Sequence, residues 1–224
     1  MNDLTATAAP AYGVRESEAA GDELSLRVEE LRRDGMTVLP DVFEPLRMRD
    51  VAARLDRLLA EQTLACGGVQ ALERLRDADL VRCPLAYDDA MLPLACHDRV
   101  LALVRRVLGE HVVLLMQNAI VNRPRQQQAQ SRWHRDLNYQ HWTSSRPLAL
   151  NFLVCVDRFY ADGGATWALP GSNLHEAFAS TAYVARHEQV IEAEPGSVVV
   201  MDAMLFHRSG TNRSADHTRR AVNH

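Results

Sequence analysis

The stretch "EPGSVVVMDAMLFHRSG", residues 194–210, decides the fold. Pro195-Gly196 is a tight-turn dipeptide, and the apolar run behind it reads as one long strand that ends in a histidine. Strict alternation gives that strand two faces. Val198, Val200, Asp202, Met204 and Phe206 share one; Val199, Met201, Ala203, Leu205 and His207 share the other. His207 is thus a polar group at the end of an apolar face. It is either satisfied by a backbone carbonyl or part of a site.

Around this strand the second half of the chain has the same character. "HVVLLMQNAIVNRP", "SRWHRDLNYQ", "LALNFLVCVDRF", "ATWALPGS" and "RRAVNH" read as strands separated by Pro, Gly, Ser and Asn turns. The first half is different. Leu24, Val28 and Leu31 recur at helical spacing from Asp22, and Gly35 stands where a helix would end. "MTVLPDVF" is a short strand. "EPLRMRDVAARLDRLLAEQ" is an amphipathic helix with Pro45 in its first turn and Val51, Leu55, Leu58 and Leu59 on one face. Val69 to Arg76 and "HDRVLALVRRVLGE" are further helices. Helices then strands, without alternation, argue against a doubly wound parallel sheet. They predict a mainly β, α+β domain: an antiparallel sandwich or barrel with helices packed outside it.

Composition narrows the function classes. The chain has 224 residues, 47% hydrophobic and 24% charged, with a net charge of −4. That is ordinary for a globular protein and offers no electrostatic case for nucleic acid or an anionic membrane. All 25 basic residues are arginine, which removes a lysine Schiff base and a P-loop lysine. No apolar run approaches the roughly 20 residues of a membrane helix. The start "MNDLTATAAP" has neither a basic segment nor an apolar core, so no leader peptide is read there. Residues 1–21 read as a mobile tail and 22–224 as a single domain. Cys66, Cys83, Cys96 and Cys155 form no C-x-x-C pair. They are expected to be small buried apolar residues of a cytoplasmic, reducing compartment.

The chemistry gathers in three places. In "SRWHRDLNYQHW", residues 131–142, His134 and Asp136 are two apart, so on a strand both point one way and Arg135 the other. The pair is either a hydrogen-bonded feature of a sheet or half of a metal site. His207 ends the long strand. In "HTRRAVNH", alternation sends one of Arg219 and Arg220 inward. A buried arginine needs an anionic partner, and its planar fork suits a carboxylate; a surface pair at a strand edge is the plain alternative. Two histidines and one carboxylate with open positions form the facial triad of non-haem iron(II) oxygenases. Their cosubstrate, 2-oxoglutarate, has a distal carboxylate that an arginine would hold.

"WHRDLNYQHWTSSRP", "DGGATWALPGSN" and "PGSVVVMDAMLFHRSGTNRSADHTRRAVNH" together resemble the phytanoyl-CoA dioxygenase family of iron(II)/2-oxoglutarate oxygenases over roughly residues 24 to 224. The resemblance implies a double-stranded β-helix, the cupin-like jelly roll. It implies His134, Asp136 and His207 as iron ligands, and Arg219 and Ser209 as holders of the 2-oxoglutarate carboxylate, with Arg220 in reserve for a one-residue slip. Iron(II), 2-oxoglutarate and dioxygen would serve to hydroxylate a small organic molecule, releasing succinate and carbon dioxide. A carboxylate at Asp136 fills the place that halogenating relatives leave for halide. Asn173 stands where the family usually has histidine. The chain ends short of where relatives stop, so the last strand and pocket wall are expected to be incomplete.

Weaker pocket candidates are Gln117, Asn118, Asn122 and Asn151, polar residues in apolar strands that either tie strands together or face a ligand. Trp167 either stacks on the cosubstrate or fills the core. Thr143, Ser144, Ser145 and Arg146 line the substrate mouth or form a solvated loop. His141, His175 and His187 are expected at the surface. The rival functions are a cupin-like metal- or ligand-binding protein without turnover, and a zinc hydrolase or isomerase on the same three residues. Neither needs an arginine clamp.

Overall fold

The computed structural model describes residues 21–125 and 129–224; the tail expected over 1–21 lies almost wholly outside them. Helix α1 (Glu23–Asp34) starts at Asp22, whose side chain accepts from the Ser25 N–H at 2.7 Å, and stops at Gly35 in the left-handed conformation, φ 77°. Strand β1 (Met36–Leu39) follows, then α2 (Pro45–Ala65), α3 (Val69–Leu75), β2 (Leu80–Arg82), α4 (Leu92–Ala95) and α5 (Asp98–Leu108). The chain then turns to strands: β3 (Asn118–Asn122), β4 (Leu150–Cys155), β5 (Thr166–Ala168), and, after α6 (Thr181–His187), β6 (Gln189–Val190), β7 (Val198–Asp202), β8 (His207–Ser209) and β9 (Arg219–Asn223).

Two antiparallel sheets result. The six-stranded sheet has the order β1-β7-β4-β9-β3-β2, and the three-stranded sheet β6-β5-β8. Strand parity sorts the core. Val198, Val200, Phe152, Val154, Val222, Ala119 and Val121 face a layer built from α1, α2 and α5, where Leu31, Leu55, Leu58 and Leu103 are buried. Their neighbours Val199, Met201, Leu153, Cys155 and Ala221 face the small sheet, meeting Ala165, Ala168, Ile191 and Leu205. The helices therefore cover one face of the large sheet, and the space between the sheets is left for a second core and a site.

The turn at Glu194–Ser197 has the geometry that its Pro-Gly pair predicts. Ser197 N–H donates to the Glu194 carbonyl at 3.1 Å, with Gly196 at φ 89°. The Gly196 carbonyl also accepts from the N–H groups of Val42 and Phe43 at 3.1 and 2.9 Å. A Cβ at Gly196 would lie 2.0 Å from the Phe43 oxygen, a backbone atom that cannot swing away. Gly196→Ala is therefore expected to cost about 2–5 kcal/mol, adding left-handed strain to a steric clash. A urea titration with unchanged slope and a lower midpoint would register it.

Several sequence expectations give way. The long strand over 194–207 is two strands. Asp202 breaks it: its Oδ1 accepts from Met204 N–H at 2.9 Å, and its carbonyl accepts from Leu205 N–H at 2.9 Å. An aspartate side chain that bonds the backbone two residues on is turn chemistry that apolar periodicity hides. The turn moves the chain from the large sheet to the small one, so the expected faces hold only over 198–202. Residues 131–140 are not a strand; His134 makes an isolated bridge to His207. The strand expected over 111–124 is confined to 118–122, and Val113, Leu115 and Met116 before it are exposed. Cys66, Cys83 and Cys96 are exposed; only Cys155 is buried as expected, and its burial lifts the thiol pKa to about 12.

Candidate metal and 2-oxoglutarate site

His134 and His207 face each other across the bridge between their segments. The His134 N–H donates to the His207 carbonyl and the His207 N–H to the His134 carbonyl, both at 3.0 Å. Their rings lie 4.4 Å apart between centroids. Asp136 is held by its own N–H on the Ala203 carbonyl at 3.1 Å, which puts its Oδ1 3.7 Å from His207 Nε2. One ligand atom from each of His134, Asp136 and His207 can be chosen so that all lie within 4.8 Å of one another.

Both imidazoles are prepared in the same way. Nδ1 of His134 lies 2.8 Å from the Arg132 carbonyl, and Nδ1 of His207 lies 3.0 Å from the Leu205 carbonyl. A carbonyl only accepts, so each Nδ1 carries a proton, and Nε2 is the nitrogen left over to serve as a ligand. Burial, aided by the neighbouring His134, holds His207 below the ordinary histidine pKa, against the opposing pull of Asp136. Two imidazoles with oriented Nε2 atoms, beside one carboxylate, are a donor set that fits a divalent iron. The expected alternative for His207, satisfaction by a backbone carbonyl, is met at Nδ1 and leaves Nε2 available.

Arg219 and Ser209 lie on the same small cavity. Its wall includes His134, Asp136, His207, Ser209, Arg219, Asn151 and Thr166. Arg219 is 1% exposed, donates from Nη2 to Ser209 Oγ at 2.9 Å and from Nε to the Gly164 carbonyl at 3.1 Å, and lies over the Phe159 ring. Burial lowers its pKa to about 10, so it is still a cation at neutral pH. Among the described residues it has no carboxylate partner, a costly state for a buried charge. Arg220 takes the other side of the strand and pairs with Asp56 and Asp157, both at 2.8 Å.

Strand parity separates the weaker candidates. Asn151 faces the cavity, and its Nδ2–H donates to Asp136 Oδ2. Trp167 does not line it: its strand neighbour Thr166 points in, and Trp167 points out against Arg208. Gln117 is likewise elsewhere, accepting from Leu85 N–H at 2.9 Å and donating to the Met91 carbonyl at 3.2 Å on the helical side. Asn122 ties strands together through the Gly164 and Gly210 carbonyls, and Asn118 accepts from Cys83 N–H at 3.4 Å. Asn173 is buried, donating to Asp202 at 3.2 Å. Thr143 to Arg146 are not on this wall, and His141, His175 and His187 are exposed as expected.

The residue that sequence reading passed over is Arg135. It is 7% exposed and donates to the carbonyls of Met204 at 2.7 Å, Ser172 and Glu176 at 3.0 Å, and His175. Its guanidinium also stacks on Phe206, 3.8 Å from the ring centroid. One side chain therefore fastens the His134–Asp136 segment to the turn that precedes His207. Its alternation with the two candidate ligands was the available signal, but nothing local identifies four carbonyls 37–69 residues away.

Comparison with known proteins bears on the fold and the family. An uncharacterized protein of Mycobacterium tuberculosis, Rv1501, is 28% identical over 197 residues, covering 85% of this chain and 70% of its own. Among solved structures, EctD from S. alaskensis with 2-oxoglutarate and 5-hydroxyectoine superposes with a TM-score of 0.74 at 21% identity, over 93% of this chain and 78% of that one. SnoN, a non-haem α-ketoglutarate-dependent epimerase from nogalamycin biosynthesis, superposes with a TM-score of 0.70 at 21% identity, over 89% and 79%. At such identities the superpositions establish the fold, a double-stranded β-helix. Residues 31–221 match the phytanoyl-CoA dioxygenase model, and the chain belongs to that family of iron- and 2-oxoglutarate-dependent oxygenases.

Proposed function

We propose that residues 22–224 form one oxygenase unit that hydroxylates a small organic molecule, with iron(II) held by His134, Asp136 and His207 and 2-oxoglutarate by Arg219 and Ser209. The observation that carries this reading is Arg219: a buried cation without a carboxylate partner among the described residues, on the wall that also bears the three donors. A dicarboxylic 2-oxo acid is the ligand that answers both features, one end for the metal and the other for the guanidinium fork. The iron, when bound, supplies dioxygen activation coupled to oxidative decarboxylation of 2-oxoglutarate to succinate and carbon dioxide. The protein's part is to position and to exclude water. Ser209 and the Gly164 carbonyl fix the guanidinium plane, the two carbonyl-bonded imidazoles aim their Nε2 atoms, and Asp136 closes the third ligand position.

A zinc hydrolase or a metal-binding protein without turnover has no use for the Arg219 clamp. A reducing, cytoplasmic compartment suits four free cysteines of which three are exposed. No described helix is long and apolar enough to cross a membrane.

The test is anaerobic addition of iron(II) and then 2-oxoglutarate, followed by admission of oxygen. A weak visible charge-transfer band from the chelate, then succinate release in step with oxygen uptake, is expected. A folded protein that gives neither the band nor succinate sinks the reading.

A further inference from the structure

Asn151 carries an observation that the site as described does not explain. It is 7% exposed and lies on the cavity wall, in β4, opposite the segment that bears Asp136. Its Nδ2–H donates to Asp136 Oδ2. Its Oδ1 is buried and has no hydrogen-bond partner among the described residues. Among the described wall residues, no other side chain holds a buried polar atom in that state.

The orientation of the amide follows from charge. Turning it over would set its oxygen against the Asp136 carboxylate, two acceptors face to face, so the N–H must face Asp136. A buried amide oxygen left unpaired costs free energy; Asn122 and Asn173, away from this wall, also leave theirs unpaired, so what sets Asn151 apart is the candidate ligand that its N–H holds, whereas both ends of the amide are spent within the fold at Asn212. That residue donates to the carbonyls of Asn122 and His217 and accepts from Ser214. Asn151 spends one end on a candidate ligand and leaves the other idle.

We propose that Asn151 is a positioning residue for the metal centre. By occupying Oδ2 of Asp136 it stops the carboxylate from turning and offers the metal Oδ1 alone, the oxygen that faces His207 Nε2. With Oδ2 so held, the carboxylate would serve a metal through Oδ1. This inference rests on the iron site of the proposed function and concerns how one of its ligands is held.

The test is Asn151→Leu, which keeps the volume and removes both amide ends. Iron(II) affinity, measured without oxygen or turnover by competition with a chelator, is expected to fall about 10–100-fold, the usual effect of removing a hydrogen bond to a metal ligand. The metal-free protein is expected to melt close to the wild-type temperature, because deleting an unsatisfied buried oxygen offsets the hydrogen bond lost at the partly exposed Asp136. With cobalt(II) as a spectroscopic probe, the visible bands should change in intensity as the released carboxylate alters the coordination number. If Asn151→Leu does not fold, Asn151→Ala serves in the same assays. Iron affinity within twofold of wild type, or an affinity loss that merely tracks a lower melting temperature, overturns the role of Asn151. A wild-type protein that binds no iron would instead sink the site on which the inference rests.

Discussion

His207→Ala is expected to abolish iron(II) binding, with an affinity loss well beyond the roughly 100-fold that removal of a neighbouring hydrogen bond costs. His207 supplies one of only two imidazoles in the cluster, and a metal held by His134 and Asp136 alone would be exchanged by any chelator. The loss should be local. The backbone bridge between residues 134 and 207 does not use the imidazole, so the sheet pairing survives the truncation. The buried ring does leave a cavity, which should lower stability by about 1–3 kcal/mol. Equilibrium dialysis against iron(II), with a thermal scan of the metal-free variant, separates the two effects. Retention of iron at wild-type affinity in a folded variant would remove His207 from the site.

Arg219→Met should do the opposite to stability and comparable harm to function. The variant keeps an unbranched side chain over Phe159 and deletes a buried cation that has no carboxylate partner among the described residues. Replacing buried charge by well-packed apolar volume is often neutral or stabilising, so the unliganded protein should melt no lower than wild type. Affinity for 2-oxoglutarate should fall, because a buried carboxylate would lose its only cation. A loss of about 3 kcal/mol, within the range for breaking a buried ion pair, corresponds to roughly 100-fold or more in KM for the cosubstrate. Iron binding should be unaffected, which distinguishes this lesion from His207→Ala. Arg219→Lys keeps the charge without the fork and should recover only part of the affinity. Unchanged 2-oxoglutarate binding in Arg219→Met would overturn the clamp.

Part of this molecule was legible in one dimension. The period of Leu24, Val28 and Leu31 and the stop at Gly35 are local properties, and α1 follows them closely. Pro195-Gly196 makes the turn that its dipeptide predicts. On β9, alternation separates the two arginines onto opposite faces, and an edge strand would have left both at the surface; β9 lies inside the large sheet. Register chose the inner one: Arg219 pairs opposite Asn122 across β3, and Arg220 falls to the outer face beside Asp56 and Asp157.

Other features needed the third dimension because their partners are distant in sequence. Asp202 ends β7 by bonding its own backbone, and an apolar run with one aspartate does not announce that. Residue type left Gln117 and Trp167 open between a ligand contact and a structural role; Gln117 bonds Leu85 and Met91 on the helical side just before β3, and strand parity puts Trp167 on the outer face of β5. Residue type says what a side chain can bond, and only the pairing of strands says which face it occupies, since a shift of one residue reverses every side chain.

By itself, then, the amino-acid order determined the helix-then-strand layout and the residue types of the site, because periodicity and turn chemistry act between near neighbours. The tertiary structure decided that His134, Asp136 and His207 gather on the wall of one cavity. It also decided that Arg135 is spent on four distant carbonyls and that Asn151 touches Asp136. Those contacts are made by strand register and by the turn at Asp202, which depend on the whole sheet being formed.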